Sequence, residues 1–451
     1  MSSPSPNGGY ARYALIILFL INALNYIDRN ILAALLPLIR AEFGASDAWL
    51  GLLGSSFIWV YMFAAIAFGY VADRSARNRI VSYGVGLWSA ATACSGFAGT
   101  FGMLFACRAL VGVGEAAYSS ASPAMIADYF PPARRNRALS LFYIAMPVGS
   151  GLGYVLGGWL GDVVGWRRAF YFAGAPGALF AVAAWSLHEP QRGRYDLVTE
   201  ATSLPFAAAV RCILRIRSYL WTTAGQILLT FSLGGVAVWL PTYFVRIYGM
   251  SLNDAGAFCG GALILGSLIG TVVGGRLADA WNRRSRNGLI HTISTGLAIG
   301  ALLLPWFFFV RDPTRLFLLL VTINFFLFWH TGPINTLIAN VAPPTVRATA
   351  VSLQILLIHL LGDAFSPGLI GLASDALQAR GIGEADALRA VLMVLLPAPL
   401  LLSAMLTQVG TRWAPQDIAA VVGPHPLDAS PPPAHLPASH AGSNSATVES
   451  R

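Results

Sequence analysis

Long apolar runs alternate with short polar segments along almost the whole chain. Each run is long enough to cross a hydrocarbon core of about 30 Å as an α-helix, which rises 1.5 Å per residue. Because only helices and closed barrels satisfy their backbone hydrogen bonds in lipid, the pattern predicts twelve transmembrane helices. The predicted spans, numbered from the amino terminus, cover residues 13–37, 48–72, 80–99, 101–124, 138–163, 166–188, 219–247, 254–279, 288–310, 314–338, 346–374 and 386–410.

Polar segments divide these spans into two groups of six. Residues 1–12 precede a first bundle at 13–188, and a polar linker at 189–218 separates it from a second bundle at 219–410. The tail at 411–451 is rich in Pro, Ser and Ala, so we expect it to be disordered. The predicted fold is an all-α membrane protein with two pseudo-symmetric six-helix bundles.

Composition and charge agree with this interpretation. Of the 451 residues, 56% are hydrophobic and 11% are charged, whereas soluble domains carry about 25% charged residues. The net charge of +9 comes from arginine alone, concentrated in loops 73–79, 132–137, 189–218 and 282–287. By the positive-inside rule these loops and both termini are cytoplasmic, so the charge indicates topology rather than a nucleic-acid partner.

The sequence offers little for other chemistries. Its four cysteines do not indicate a disulfide framework, and no Cys/His spacing suggests a metal site. There is no nucleophile–His–acid constellation with support from spacing, so we expect no cofactor and no enzymatic activity.

An internal repeat relates the two halves. "GYVADRSARNR" at 69–79 aligns with "GRLADAWNRRS" at 275–285 at an offset of 206, and "ADYFPPARRNRALSL" at 127–141 aligns with "ANVAPPTVRATAVSL" at 339–353 at an offset of 212. Because hydropathy does not constrain loop residues, these matches indicate duplicated halves rather than chance likeness between apolar helices.

The repeat and its loop resemble the major facilitator superfamily over residues 13–410. "GYVADRSARNR" resembles the signature loop between the second and third helices of that superfamily. The resemblance implies that this loop joins charges across the two bundles on the cytoplasmic side. The resemblance also implies that three residues of this loop act as a gate: Asp73, Arg74 and Arg77. Their weaker partners in the second half would be Asp279 and Arg283. A solvated, positive-inside loop would explain the arginines but not the aspartate and glycine.

Three further stretches resemble the Spinster family of lysolipid and sphingolipid transporters, in a bacterial form. They are "LNYIDRNILA", "RALVGVGEAAYSSASPAMIADYFP" and "SLQILLIHLLGDAFSPGLIGLASD". The resemblance implies a monomeric, multi-pass protein of the bacterial inner membrane, surrounded by membrane lipids, that moves an amphipathic lipid. One departure concerns the tenth span: the eukaryotic pattern has an acidic residue there, and this chain has none between Arg315 and Arg347.

Among the charged residues of the predicted spans, four stand out: Asp28, Arg29, Arg108 and Glu115. Each costs at least about 2.5–3.5 kcal/mol on insertion scales, so each is a functional candidate. A first helix that starts near residue 13 puts Asp28 about 22 Å into the membrane, level with Arg108 in the fourth span. We therefore expect Asp28 to pair with Arg108 or with the surroundings of Arg29.

Glu115 lies two turns beyond Arg108 and about 10 Å deeper, so it cannot share that ion pair directly. A carboxyl group in an apolar site favours its neutral form unless a cation is near. Movement of Arg29 or Arg108 during alternating access could thus drive proton uptake and release at Glu115. The alternative is that these charges only brace the first and fourth helices.

The two predicted cavity walls differ in polarity. The offsets map the four charges onto Gly234, Gly235, Leu320 and Leu327, so the second half has lost them. We expect the charges, Asn25, Tyr26 and Tyr118 on one wall, and an apolar opposite wall with milder polar points at Gln226, Asn324, His330, Thr331 and Asn335. Such a cavity suits an amphipathic substrate with proton coupling; a proton-coupled organic-anion symporter or a drug exporter is the alternative.

Glycine recurs at every fourth position of the fifth span and so forms a stripe along one side of the helix: Gly149, Gly153, Gly157 and Gly161. The spacing predicts close helix packing. The run also partly resembles a motif of drug/proton antiporters, but Tyr154 replaces its proline, so the indication of export is weak.

Overall fold

The computed structural model describes residues 8–72, 74–192, 195, 205–343 and 345–422, and their regular secondary structure is helical. Five helices form the first half: α1 (Gly8–Phe43), α2 (Asp47–Ala72), α3 (Arg77–Ser95), α4 (Phe101–Tyr129) and α5 (Pro132–Trp185). The short helix α6 (Phe206–Ile213) follows in the linker. The second half begins with α7 (Arg217–Tyr248), α8 (Leu252–Asn282), α9 (Gly288–Phe307), α10 (Pro313–Leu327) and α11 (Thr331–Val341). It ends with α12 (Arg347–Ile358), α13 (Ser366–Gln378), α14 (Glu384–Leu395), α15 (Pro397–Val409) and α16 (Ala414–Val422).

These helices account for twelve spans. Ten segments of the described chain are long and apolar enough to cross a bilayer, and Arg137–Trp185 is one of them. That segment changes direction at Gly165, where φ is 79°, and so provides two spans. The more polar α3, packed against α4 and α5, is the remaining one. In the second half, single irregular turns join α10 to α11 and α12 to α13, and α14 continues into α15. The predicted fold class is confirmed.

The ends of the chain differ from the predicted boundaries. The first helix starts at Gly8 rather than near residue 13, and residues 414–422 of the expected disordered tail form α16. Asp417 of α16 accepts hydrogen bonds from the Ser218 backbone N–H at 3.0 Å and from its hydroxyl at 2.5 Å, which caps the start of α7. Trp413 stacks on Trp221 at 6.3 Å. These contacts order a segment whose composition predicts disorder.

Glycines allow α5 to pack closely on α1. A Cβ at Gly149 would lie 2.5 Å from the Ala23 carbonyl oxygen, and one at Gly153 would lie 2.7 Å from the Ile27 carbonyl oxygen. Such contacts are shorter than any side chain tolerates. The stripe therefore positions α1, and with it the charged pair in its middle.

We call the end of the molecule where α1 begins and α15 ends the arginine-rich face, and the other end the opposite face. The two halves are joined at the opposite face by Asp47, at the start of α2, whose side chain is fully buried. Its carboxylate accepts hydrogen bonds from four side chains: Arg40 at 2.7 Å, Arg246 at 2.7 and 2.9 Å, Ser374 at 2.8 Å and Gln378 at 2.9 Å. We refer to Asp47 and these four residues as the Asp47 cluster.

Further contacts reinforce this closure. The Asp375 carboxylate of α13 accepts hydrogen bonds from the backbone N–H groups of Asp47 and Ala48 and so caps α2. On the other side of the interface, the Tyr154 hydroxyl of α5 donates to the Ala237 carbonyl of α7 at 2.7 Å. The opposite face of the molecule is therefore closed.

Candidate functional site

The first buried charge pair joins α1 to α4. Arg108 Nη1 donates to the Asp28 carboxylate at 3.0 Å, and Nη2 donates to the Asp28 main-chain carbonyl at 3.0 Å. The Thr92 hydroxyl of α3 donates to the second carboxylate oxygen of Asp28. The side chains of Asp28 and Arg108 are 2% and 1% exposed. This pair is enclosed within the first half.

The second pair lies beside it but has different surroundings. Arg29 Nε donates to Glu115 Oε2 at 2.6 Å, and Glu115 is fully buried while Arg29 is 17% exposed. The guanidinium carbon of Arg29 lies 5.1 Å from the ring centroid of Tyr26, 4.9 Å from that of Phe57 and 5.2 Å from that of Tyr61. Such ring faces attract a cation.

The geometry of α1 explains why neighbouring residues have separate partners. Successive side chains of an α-helix point about 100° apart. Asp28 therefore points toward α3 and α4, and Arg29 points toward the aromatic side chains of α2. Arg29 is thus the partly accessible member of the charged set.

Glu115 has one free oxygen. Its Oε2 binds Arg29, whereas its Oε1 is buried without a hydrogen-bond partner among the described residues. A buried carboxylate is stable only while its charge is compensated. Loss of the Arg29 contact therefore favours a proton on Glu115, and a proton on Glu115 releases Arg29 to bind another anion.

Every fully buried charged side chain of the described residues lies in the first half: Asp28, Asp47, Arg77, Arg108, Glu115 and Asp128. At the positions equivalent to the charges, Leu320 and Leu327 of the second half line a narrow apolar cavity. A Cβ on Gly234 would lie 2.4 Å from the Cβ of Asp363, so that position is filled by a neighbouring helix. Among the described residues, the buried charges are thus confined to the first half, as the repeat predicts.

The candidate gate residues have partners within their own half. Arg77 is buried and forms ion pairs at 2.7 Å with Asp128 of α4 and with Glu189 beyond α5. Arg74 is exposed and lies over the Tyr70 ring at 3.5 Å. Asp73 lies outside the described residues. In this conformation Arg77 therefore braces the first half instead of joining the two bundles.

The counterpart residues of the second half, Asp279 and Arg283, both have exposed side chains. They lie at the end of α8, where the Arg283 backbone N–H donates to the Asp279 carbonyl at 3.3 Å. The structure places them at a helix end on the arginine-rich face.

Three of the predicted cavity residues are buried inside the halves. The Tyr118 hydroxyl donates to the Leu18 carbonyl at 2.8 Å and its ring packs on Trp88 at 5.5 Å. Asn25 and Gln226 are 3% and 4% exposed. Tyr118, Asn25 and Gln226 are therefore enclosed in this conformation, and their place in a substrate cavity stays a prediction. Tyr26 remains half-buried beside Arg29.

The predicted polar points of the second half are scattered. Asn324 donates to the Leu320 carbonyl of its own helix at 2.9 Å and lines the narrow apolar cavity. His330 contacts the Leu327 carbonyl at 2.6 Å, and Thr331 is half-buried next to it. Asn335 is exposed and donates to the Thr331 carbonyl. Asn335 and Thr331 are thus joined to each other, whereas Asn324 bonds within α10.

Two features of the folded molecule are not apparent from the sequence. The aromatic surroundings of Arg29 come partly from Phe57 and Tyr61, which the sequence shows only as ordinary members of an apolar span. Asp47 was missed because it precedes a predicted span, where an aspartate is expected simply as a helix cap. Nothing in the short loop before Asp47 indicates that four side chains bind its carboxylate.

Two pseudo-symmetric bundles of six spans, with buried charges in one of them, are typical of a membrane transporter. The family model described as Major Facilitator Superfamily matches residues 18–367. Within that superfamily, the chain belongs to the Spinster family. It is 34% identical over 383 residues to protein spinster homolog 1 of Xenopus laevis, covering 81% of this chain and 73% of that protein.

A second relative is the sphingosine-1-phosphate transporter SPNS2 of Danio rerio, 33% identical over 380 residues, which cover 79% of this chain and 75% of that protein. Among solved structures, a bacterial homolog to the human lysosomal transporter Spinster, inward-facing and occupied, has a TM-score of 0.78 at 24% identity. That match covers 92% of this chain and 99% of the other. These relatives confirm the predicted family and the transporter class.

Proposed function

We propose that this protein transports an amphipathic lipid, a lysophospholipid or sphingoid-like molecule, by alternating access coupled to protons. The observation that carries the proposal is the Arg29–Glu115 pair: a fully buried carboxylate with one unbonded oxygen, held by the partly exposed cation. An anionic head group can take the place of Glu115 beside Arg29, and a proton can then take the place of Arg29 on Glu115.

The coupling follows from charge balance. Arg29 binds either ionised Glu115 or the anionic group of a substrate, since one guanidinium in an apolar site stabilises one negative charge well. When a substrate anion takes Arg29, Glu115 is left without its cation and takes up a proton. Release of the substrate returns Arg29 to Glu115 and expels the proton.

The polarity of the two halves supports an amphipathic substrate. The head group would lie against Arg29 and its aromatic neighbours in the first half. The apolar tail would lie toward the second half, where the equivalent positions carry glycine and leucine. A fully polar substrate would leave that wall without hydrogen-bond partners for it. The Danio rerio relative, a sphingosine-1-phosphate transporter, supports the same substrate class.

We propose that the arginine-rich face is cytoplasmic, on the basis of the positive-inside rule, in a bacterial inner membrane. Both termini then lie in the cytoplasm, and the protein acts as a monomer among membrane lipids. Closure at the Asp47 cluster makes this conformation inward-facing, so the substrate site is loaded or emptied from the cytoplasm.

The test is uptake of a labelled lysophospholipid by proteoliposomes, with and without a pH gradient. We expect gradient-driven flux in the wild type and loss of the gradient dependence in Glu115→Gln. Glu42→Gln is the matched control, because Glu42 is 43% exposed at the opposite face, and it should retain coupled flux.

Two outcomes would contradict the proposal. Gradient-driven flux that persists in Glu115→Gln would remove Glu115 from the coupling. Transport of organic anions by a folded wild type that carries no lipid would favour the alternative, an organic-anion symporter or drug exporter. The aromatic rings around Arg29 would suit aromatic carboxylates in that case.

A further inference from the structure

A groove runs along the outer surface of the second half, far in sequence and structure from the Arg29–Glu115 pair. It lies between α9 and α15 and is bounded at the arginine-rich face by the end of α8 and by the turn Gly410–Arg412. It encloses about 940 Å³, within the size range of about 300–1,000 Å³ that ligand sites occupy. We call it the α9–α15 groove.

The end of the groove at the arginine-rich face is cationic. Arg284 and Arg412 line it, and both side chains are exposed. Within the described part of the chain, neither guanidinium forms an ion pair, and the lining residues include no acidic side chain. Trp281 lines the same end, as an aromatic side chain typically does at a membrane interface. This end therefore presents two uncompensated positive charges to one ligand.

Polar side chains continue the groove just below the arginines. The Ser294 hydroxyl donates to Gln408 Oε1 at 2.7 Å, and His291 Nδ1 lies 3.2 Å from Gln408 Nε2. Gln408 is exposed to the groove. A polar group exposed on the lipid-facing side of a span costs free energy unless it contacts head groups or water. Their depth, within the first turns of α9, matches the head-group region.

The deeper end of the groove is apolar and open to the membrane. Ala298, Ile299, Leu302 and Met405 line it, and Leu302 and Met405 are each 61% exposed. Leu302 lies fourteen residues beyond Gly288, or about 21 Å along the helix. The groove thus changes from cationic to apolar along the membrane normal, in the same order as a phospholipid.

We propose that the α9–α15 groove binds an anionic phospholipid of the surrounding leaflet. The phosphate lies against Arg284 and Arg412, the polar head-group atoms meet Gln408 and His291, and an acyl chain follows Ala298 to Leu302. The positive-inside rule accounts for the arginines in the loop. It does not account for a groove that continues below them, first polar and then apolar, in the order of a phospholipid's head group and acyl chain. Basic pockets between spans hold anionic head groups for this reason. The site is separate from the proposed transport pathway.

The test is native mass spectrometry of the full-length protein with phosphatidylglycerol and, separately, with phosphatidylcholine of the same acyl chains. We expect one tight phosphatidylglycerol site. Each arginine near an anionic lipid surface contributes about a fivefold gain in affinity. The double variant Arg284→Gln, Arg412→Gln should therefore bind phosphatidylglycerol about 25-fold more weakly, which removes the preference over phosphatidylcholine.

The matched control is the double variant Arg134→Gln, Arg137→Gln. It removes the same charge from the arginine-rich face, but in the first half, where both side chains are exposed. Phosphatidylglycerol binding should be unchanged there. A further variant, Ala298→Trp, fills the apolar end and should weaken both phospholipids without a change of charge.

Three results would overturn the proposal. Equal affinity for the two phospholipids in the wild type would reveal an ordinary contact with bulk lipid. Equal loss in the two double variants would show a general effect of surface charge. Inorganic phosphate that displaces phosphatidylglycerol at comparable concentration would show an ion site without a role for the acyl chains. None of these results depends on transport, so the proposed function would be unaffected.

Discussion

At the scale of single residues, the two ion pairs between α1 and α4 have different consequences. Both oxygens of the Asp28 carboxylate accept hydrogen bonds, one from Arg108 and one from Thr92, and both charged side chains are enclosed. Breaking a buried pair by removing one member leaves an uncompensated charge and costs about 3–5 kcal/mol. Arg29 and Glu115 retain a free oxygen and an exposed edge. The first pair therefore stabilises the fold, and the second can exchange partners.

Arg108→Met tests the stabilising role. The variant leaves the Asp28 charge buried without its cation, so we expect a loss of about 3–5 kcal/mol, measured as a lowered apparent Tm in detergent. Adding Asp28→Asn should recover a large part of that loss, because an uncharged amide no longer needs the cation.

The exposed Arg137→Met is the control and should change stability by less than about 0.5 kcal/mol. A single variant as stable as the wild type, or a double variant no better than the single, would show that the pair contributes little to the fold.

At the scale of helices, the glycine stripe of α5 fixes the position of α1. Gly149, Gly153 and Gly157 meet backbone atoms of α1 at distances that leave little or no room for a methyl group. A displaced α1 would carry Asp28 and Arg29 away from α4 together. The stripe thus contributes to the charged site without any polar atom of its own.

Gly153→Ala should destabilise the protein by about 1–3 kcal/mol, since the added Cβ would lie 2.7 Å from the Ile27 carbonyl oxygen. Gly275→Ala, in α8, is the matched control because nothing lies within 4 Å of its Cβ position. It should leave the apparent Tm unchanged or raise it, because alanine favours a helix by about 1 kcal/mol over glycine. An equal response of the two variants would contradict the packing role.

At the scale of the whole molecule, the Asp47 carboxylate is a central link between the halves. Asp47 binds Arg40 from its own half and Arg246, Ser374 and Gln378 from the other. The proposed alternating access requires these bonds to break when the opposite face opens. The free energy of the Asp47 cluster therefore enters directly into the balance between the two conformations.

Asp47→Asn should shift that balance toward the conformation open at the opposite face, because the amide cannot compensate two arginines. Spin labels at Trp49 and Leu372, both exposed, would report a larger population at long distance. We expect at least a tenfold change in the ratio, the effect of about 1.4 kcal/mol. Asp386→Asn, exposed on α14, should leave the distribution unchanged, and an unchanged distribution in Asp47→Asn would exclude the cluster as a latch.

Much of this architecture followed from the sequence alone. The twelve spans, their division into two halves and the loss of charge from the second half depend on hydropathy, length and repeat spacing, which are local properties. Depth along a helix is also fixed by residue number, so Asp28 and Arg108 could be placed at one level in advance.

Tertiary structure decided which side of each helix faces a partner. In a membrane protein both the lipid and the protein interior are apolar, so hydropathy does not mark the inward face of a span. That is why Tyr118 was expected in the cavity but packs within the first half. For the same reason the pairing of Arg29 with Glu115, the bracing of Arg77 within its own half, and the closure at Asp47 became visible only in the folded molecule.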